Sequence, residues 1–185
     1  MQSSFLPQRG HYKSLIVYQK AECIYDVTYM FAHRFLSRGD RTVDQMIQAA
    51  RSGKQNIAEG CAASSTSRET EIKLYNVAKA SLQELLADYE DFLRVRNLCQ
   101  WELSDPRSIR TRKGCSEHCD SAFYRNSLQN SSMETIANIA ITLIHQVDIL
   151  LHRLIERAKK NFLEEGGIRE QMTRHRLEYR KNNPK

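Results

Sequence analysis

The stretch "QNIAEG", residues 55–60, places an amide, a carboxylate and a glycine within little more than one helical turn. Asn56 and Glu59 lie three apart and Asn56 and Gly60 four apart, so on a helix all three share a face. Two roles fit. Glu59 can serve as a helix-end acceptor for the "SSTS" loop or a neighbouring subunit while Gly60 permits close packing, or the group can contact a ligand or nucleic acid. A lone carboxylate without a matched acid, base or metal is a poor catalyst. His145, Asp148 and His152 follow one another along one helical side, a spacing that suits zinc as well as it suits a plain polar stripe. Cys115, His118 and Cys119, with Cys99 as a fourth donor, form a second thiol and imidazole set, although short Cys spacings in zinc sites ordinarily come with a second, distant pair of ligands. The Glu-x-x-His pattern of di-iron bundles is missing. No metal is assigned to either group, and no cofactor is expected.

Cations are the stronger signal. "RSIRTRK" supplies Arg107, Arg110, Arg112 and Lys113, and the C-terminal stretch supplies Arg169, Arg174, Arg176, Arg180 and Lys181. Guanidinium forks grip phosphates bidentately and displace condensed counter-ions, which gives sequence-independent affinity for RNA or DNA. Tyr124 beside Arg125 and Tyr179 beside Arg180 add rings on which bases can stack. The chain has 185 residues and a formal charge of +6, and from Arg157 onward nine Lys or Arg stand against four Asp or Glu, so most of the excess lies at one end. A solvated tail carries the same charge, and an acidic protein would be drawn to it too. No P-loop, no G-x-G-x-x-G and no Gly-flanked nucleophilic Ser occurs, so phosphate-cradling and acyl-transfer chemistry have no support. The chain is expected not to be an enzyme.

Helices must position these groups. Three prolines, seven glycines and few strand-like alternations point to an all-α chain with one core. Apolar positions at Val17, Ala21, Ile24, Thr28, Phe31 and Phe35 predict a first helix over 13–37. Gly39 then stops it and Asp40 caps a second, over 40–62, on Val43, Ile47, Ala50, Ile57 and Cys61. Lys54 interrupts that seam, which predicts a kink or a wet cavity. Thr66 with Glu69 makes a capping-box pattern opening a third helix, over 67–97, on Tyr75, Ala78, Leu82, Leu85, Tyr89 and Phe92. A fourth, over 131–165, follows Met133, Ile136, Ala140, Leu143, Val147, Leu150 and Leu154. The expected architecture is an antiparallel four-helix bundle over 1–165. An insertion at 103–130 folds over one end with Trp101 as anchor, and a helical basic tail occupies 166–185.

The N-terminal "MQSSFLPQRGHYKS" lacks the apolar run of an export signal. The most apolar segment is interrupted by His145, Asp148, His152 and Arg153, short of a membrane span. Five scattered cysteines read as reduced thiols. A cytoplasmic chain without a membrane partner is expected.

"LIVYQKAECIYDVTYMFAHRF", "DQMIQAARSGKQNIAEG" and "LYNVAKASLQELLADYEDFL" together resemble the bacterial four helix bundle proteins, also called 23S ribosomal-RNA intervening-sequence proteins, over residues 15–98. "NIAEG", Asn56 to Gly60, and the following "A-x-x-S-L-x-E-L", which contains Ser81 and Glu84, carry the resemblance. Lys54 stands where many members have Pro, and Ala80 where Gly is usual. "FLEEGGIREQMTRHR" looks like the C-terminal suffix segment of one branch. The resemblance implies a left-handed helical bundle that forms a homo-oligomeric ring, commonly a pentamer, with no established enzymatic activity. A relative in fold is the accessory variability protein of diversity-generating retroelements, whose basic pentameric barrel binds nucleic acid and a reverse transcriptase. The implied function is that of a non-enzymatic oligomer binding RNA or DNA through insertion and tail as an accessory factor. The alternative is a protein-interaction scaffold whose tail docks on an acidic protein.

Overall fold

The computed structural model describes residues 11–183, and the regular structure among them is helical. After a 3-10 turn at Tyr12–Ser14 come α1 (Ile16–Phe35), α2 (Arg41–Ala63), α3 (Arg68–Val95), α4 (Pro106–Glu117), α5 (Ser121–Ser127), α6 (Met133–Glu165) and α7 (Ile168–Asn182). Caps mark the ends. Asp40 accepts from the Thr42 backbone at 2.9 Å, and Ser132 accepts from the Thr135 backbone at 3.2 Å. The cap of α3 is Ser67, not Thr66: Thr66 Oγ1 donates back to the Ala63 carbonyl at 3.2 Å, while Ser67 Oγ accepts from Thr70 N at 3.2 Å. Past α3, Asn97 takes a φ of +52° and Leu98 N donates to the Leu93 carbonyl at 3.0 Å, satisfying an orphan acceptor.

Helix α1 packs on α2 and α6, and α3 packs on the same two helices, around a single apolar cluster. Phe31 stands in it, 4.7 Å from the Phe92 ring and 5.0 Å from Tyr89. Tyr89 is fully buried and its hydroxyl donates to Thr28 Oγ1 at 3.0 Å, so the phenol enters the core satisfied. Burying each such ring is worth about 1.5–3 kcal/mol. The expected stripe of α3, from Tyr75 to Phe92, is buried throughout.

The inner faces of α2 and α6 keep most of the expected seams and depart from them at particular residues. Helix α2 is continuous from Arg41 to Ala63, and its wall is Met46, Ala49, Ala50, Gly53, Ile57, Gly60 and Cys61. Gly53 holds the seam because Leu82 presses against it: a Cβ there would lie 2.7 Å from Leu82 Cγ. Lys54 turns aside and rests its Nζ 4.4 Å from the centre of the Tyr25 ring, a cation–π contact in place of a kink or wet cavity. On α6 the expected Ile136, Ala140, Leu143 and Val147 are buried, as are Ile144, Leu151 and Ile155 beside that line, while Leu150 and Leu154 are half-buried. A strict seven-residue pattern rotates off the inner face of a helix with 3.6 residues per turn, so toward the C-terminal end Leu151 and Ile155 are buried more deeply than Leu150 and Leu154. By length and composition α6 reaches the threshold for a spanning helix despite its histidines and Asp148. Here its apolar face is a core wall.

The insertion lies along the flank and not across an end, with α4 against α6 and α5 against α1. Polar anchors explain the path. Lys20, only 4% exposed, donates to the Cys115 carbonyl and to Gln146 Oε1 at 3.0 Å. Gln146 Nε2 in turn donates to the Arg112 carbonyl at 3.0 Å. Asp26 accepts from Ser121 and pairs with Arg125 at 3.0 Å, and Arg34 donates to the Gln129 carbonyl at 2.6 Å.

Candidate functional site

The "NIAEG" residues form a packing device between α2 and α3. Gly60 is a seat for an aromatic ring: a Cβ there would lie 2.6 Å from Tyr75 Cε1. Asn56 Nδ2 donates to the Ser52 carbonyl at 2.9 Å, and the hydroxyls of Ser52 and Ser81 bond at 2.9 Å across the two helices. Glu59 is exposed and has no hydrogen bond or ion pair among the described residues. The "SSTS" loop serves itself instead, with Ser64 donating to the Cys61 carbonyl at 2.7 Å and Ser65 to the Ala62 carbonyl at 3.1 Å. The buried carboxylate is Glu71, which meets Arg68 at 3.1 Å. Burial, and then the Glu71 charge, push the Tyr75 phenol up from its ordinary range. Glu84 and Ser81 line a groove with Asp44 and Asp88, where burial, then Asp91 and Glu84, raise the Asp88 carboxyl. That groove is electronegative and repels phosphate.

The expected metal candidates are not drawn together into a ligand set among the described residues. Asp148 accepts from Gln83 at 2.9 Å and pairs with Lys79 at 3.4 Å, which ties it to α3, while His145 and His152 are exposed. Cys115 is buried and burial raises its thiol, and the His118 ring stacks on Phe123 at 3.7 Å. Cys23, which no motif singled out, faces the same region: burial, with Cys119 next in weight, pushes its thiol up to about 12. Among the described residues no three His, Cys, Asp or Glu side chains are grouped to hold a metal ion.

The cations divide into engaged and unengaged. Arg107 bridges Asp105 at 2.8 Å and Glu134 at 3.3 Å, with its guanidinium 4.8 Å from the centre of the Trp101 ring. The Arg107 hydrogen bonds hold the Asp105 carboxyl below its usual range. Arg112 donates to Ser108 Oγ at 2.8 Å and to the Leu103 carbonyl at 2.9 Å, and it has no carboxylate partner among the described residues. Arg110 is exposed with neither hydrogen bond nor ion pair among them, and Lys113 reaches Glu117 only at 4.0 Å.

Helix α7 starts on its own Glu170, which accepts from Gly167 N at 3.0 Å. Along it Arg169, Arg174, Arg176, Arg180 and Lys181 are exposed, and none has an ion-pair partner among the described residues. Tyr179 is 70% exposed beside them. Tyr124 is not available for stacking: it is 2% exposed, and its hydroxyl donates to the His118 carbonyl at 3.1 Å.

Trp101, expected only as an anchor, is part of a site. Its backbone N donates to Asn138 Oδ1 at 2.8 Å and its indole N–H to Glu134 Oε1 at 3.3 Å. Asn138 Nδ2 donates onward to the carbonyls of Cys99 and Glu134, each at 2.9 Å. With Leu103, Arg112, Ile141, His145 and Ile149 the indole lines a groove of about 680 Å³ between α4 and α6. A lone Trp beside an arginine run was the only signal for it in the sequence. In comparisons with family models, curated proteins and solved structures, nothing matches the chain.

Proposed function

We propose that this chain is a non-enzymatic helical-bundle protein that binds nucleic acid, RNA or DNA, through α7 and the outer face of α4. One observation carries this: Arg169, Arg174, Arg176, Arg180 and Lys181 stand exposed on a single helix with no ion-pair partner among the described residues. Among the described residues no carboxylate has taken up their charge, so each is ready to neutralise a phosphate and release a counter-ion. Arg110 and Lys113, both exposed, extend the positive surface on α4.

Short connections at 36–40 and 64–67 support an antiparallel arrangement of α1, α2 and α3, and the square of contacts with α6 supports a four-helix bundle. The family proposed is the four helix bundle, or intervening-sequence, family. The assembly proposed is a cytoplasmic homo-oligomer, a pentameric ring, in which repeated α7 helices multiply weak contacts by avidity. Its partner would be an RNA-processing or reverse-transcribing enzyme that it assists. A second reading, docking on an acidic protein, draws on Met172, Leu177 and Tyr179, which α7 exposes between its cations.

Fluorescence anisotropy separates the two. A labelled structured RNA and a matched DNA duplex are titrated across a salt series with the intact chain and with a chain ending at Glu165. Nucleic-acid binding predicts that log K falls with log salt at about 0.9 per contacted duplex phosphate, and that truncation weakens binding. Absence of binding at low salt would leave the protein-docking role.

A further inference from the structure

The groove between α2 and α3, of about 610 Å³, is lined by Asp44, Glu84 and Asp88 and by no Lys or Arg among the described residues. None of the three carboxylates has an ion-pair partner among those residues. The charges of Asp91 and Glu84 add to burial in raising the Asp88 carboxyl, so the negative charge here is in excess. Ala49, Ser52 and Ser81 also line the groove, and the two hydroxyls already bond each other at 2.9 Å. Side chains this short let another helix come close.

The complement is α7. At about 3.6 residues per turn, Arg169, Arg176 and Arg180 fall on one side of that helix and Arg174 and Lys181 on another. Met172 and Tyr179, 47% and 70% exposed, border the first stripe. Helix α7 belongs to none of the helix pairs that pack the bundle, so the stripe stands open among the described residues. Arg176 and Arg180 are about 6 Å apart along their helix, as Glu84 and Asp88 are along theirs. Two such helices side by side bring a guanidinium within reach of each carboxylate. The chain's own groove is too far away. Gln83, next to Glu84, binds Asp148 at 2.9 Å, about 25 Å back along α6 from its end at Glu165, whereas Arg176 stands only about 12 Å into α7.

We infer that α7 of one copy of this chain lies in the α2–α3 groove of a second copy, its Arg176 and Arg180 on that copy's Glu84 and Asp88. The inference rests on the homo-oligomer proposed above and names a contact that builds it. Groove and helix are different surfaces, so the contact is heterologous and closes into a ring where the rotation between copies permits. Arg174 and Lys181, on another side of α7, stay open to phosphate, which the groove itself repels.

Sedimentation velocity of the intact chain, free of nucleic acid, tests the contact at low and high salt. Assemblies are expected at low salt and should dissociate as salt rises, since exposed charge pairs are screened. The variant Asp44→Lys, Glu84→Lys reverses two exposed groove positions, and the variant Arg176→Glu, Arg180→Glu reverses two exposed positions on α7, outside the core. Each alone is expected to weaken self-association about tenfold or more. Mixed in equal amounts, the two variants are expected to recover it, because every α7 then meets a groove of opposite charge on the other variant; recovery also shows that both are folded. An intact chain that stays monomeric at every salt overturns the contact and the proposed oligomer together. Assembly that survives both variants, or that is lost in both and not recovered on mixing, overturns the contact and leaves the oligomer to another surface. RNA titrations keep the nucleic-acid reading separate. The groove variant keeps every α7 cation, so it is expected to bind RNA while failing to self-associate; an intact chain that assembles as expected but binds no RNA overturns nucleic-acid binding and supports the contact.

Discussion

Gly60 and Gly114 both sit inside helices, and the space beside each decides the sign of its replacement. A Cβ at Gly60 would lie 2.6 Å from Cε1 of the buried Tyr75 ring, whereas nothing lies within 4 Å of one at Gly114. Gly60→Ala should therefore lower stability by about 1–3 kcal/mol, more than the gain of about 1 kcal/mol in helix propensity. Gly114→Ala should raise it by about 0.5–1 kcal/mol. Thermal melts of the two variants check both signs, and a stabilised Gly60→Ala would mean that Tyr75 does not pack there. Asp88 makes a pH-dependent case. Burial, then Asp91 and Glu84, raise its carboxyl, so the folded chain holds that proton more tightly than the unfolded chain does. Its contribution to stability is present below the unfolded carboxyl range and is lost as pH rises through the raised folded value. Asp88→Asn should then stabilise the protein near pH 7 by about 0.5 kcal/mol, a figure discounted for solvent screening. The gain should vanish below about pH 4. Denaturant melts at the two pH values test it, and an equal gain at both would place the effect elsewhere.

At the scale of the element, α4 is held less by apolar packing than by polar contacts along its inner side. Lys20 and Gln146 take the carbonyls of Cys115 and Arg112, and Asn138 fixes the segment that leads into the helix. Asn138 is 3% exposed and makes bonds to Trp101, Cys99 and Glu134. Asn138→Ala should cost about 1–3 kcal/mol, because a half-buried backbone N–H and a carbonyl lose their partner. It should also shift Trp101 emission to longer wavelength as the indole loosens toward water. An unshifted spectrum in a destabilised variant would mean that Glu134 alone positions the ring. The α2–α3 pair is built differently, with two glycines on one helix receiving Leu82 and Tyr75 of the other. Close approach there comes from missing side chains, and the Ser52–Ser81 bond supplies a single polar rung.

For the whole molecule, the apolar cluster extends along α6 to Ile155, and among the described side chains none from α7 belongs to it. A chain ending at Glu165 should keep its thermal midpoint within about 2 °C of the intact protein, since no described core side chain is removed. Its affinity for RNA should nevertheless fall. Circular dichroism melts measured beside the anisotropy titration separate the two effects, and a midpoint lowered by many degrees would make α7 part of the folding unit. The sequence by itself determined the helical class, the stripe of α3 and the concentration of cations near the C-terminus. Each depends on local periodicity or on a count, and both persist whatever the partner surface is. It could not decide between Gly53 and Lys54 as the inward position, nor assign the buried carboxylate to Glu71 over Glu59. It could not place Tyr124 inside or the insertion on the flank. Those outcomes depend on Leu82, Arg68, Lys20 and Gln146, residues distant in sequence or on a facing helix. Helix geometry sets the period of burial, but only the shape and polarity of the facing helices choose which of two adjacent residues is buried.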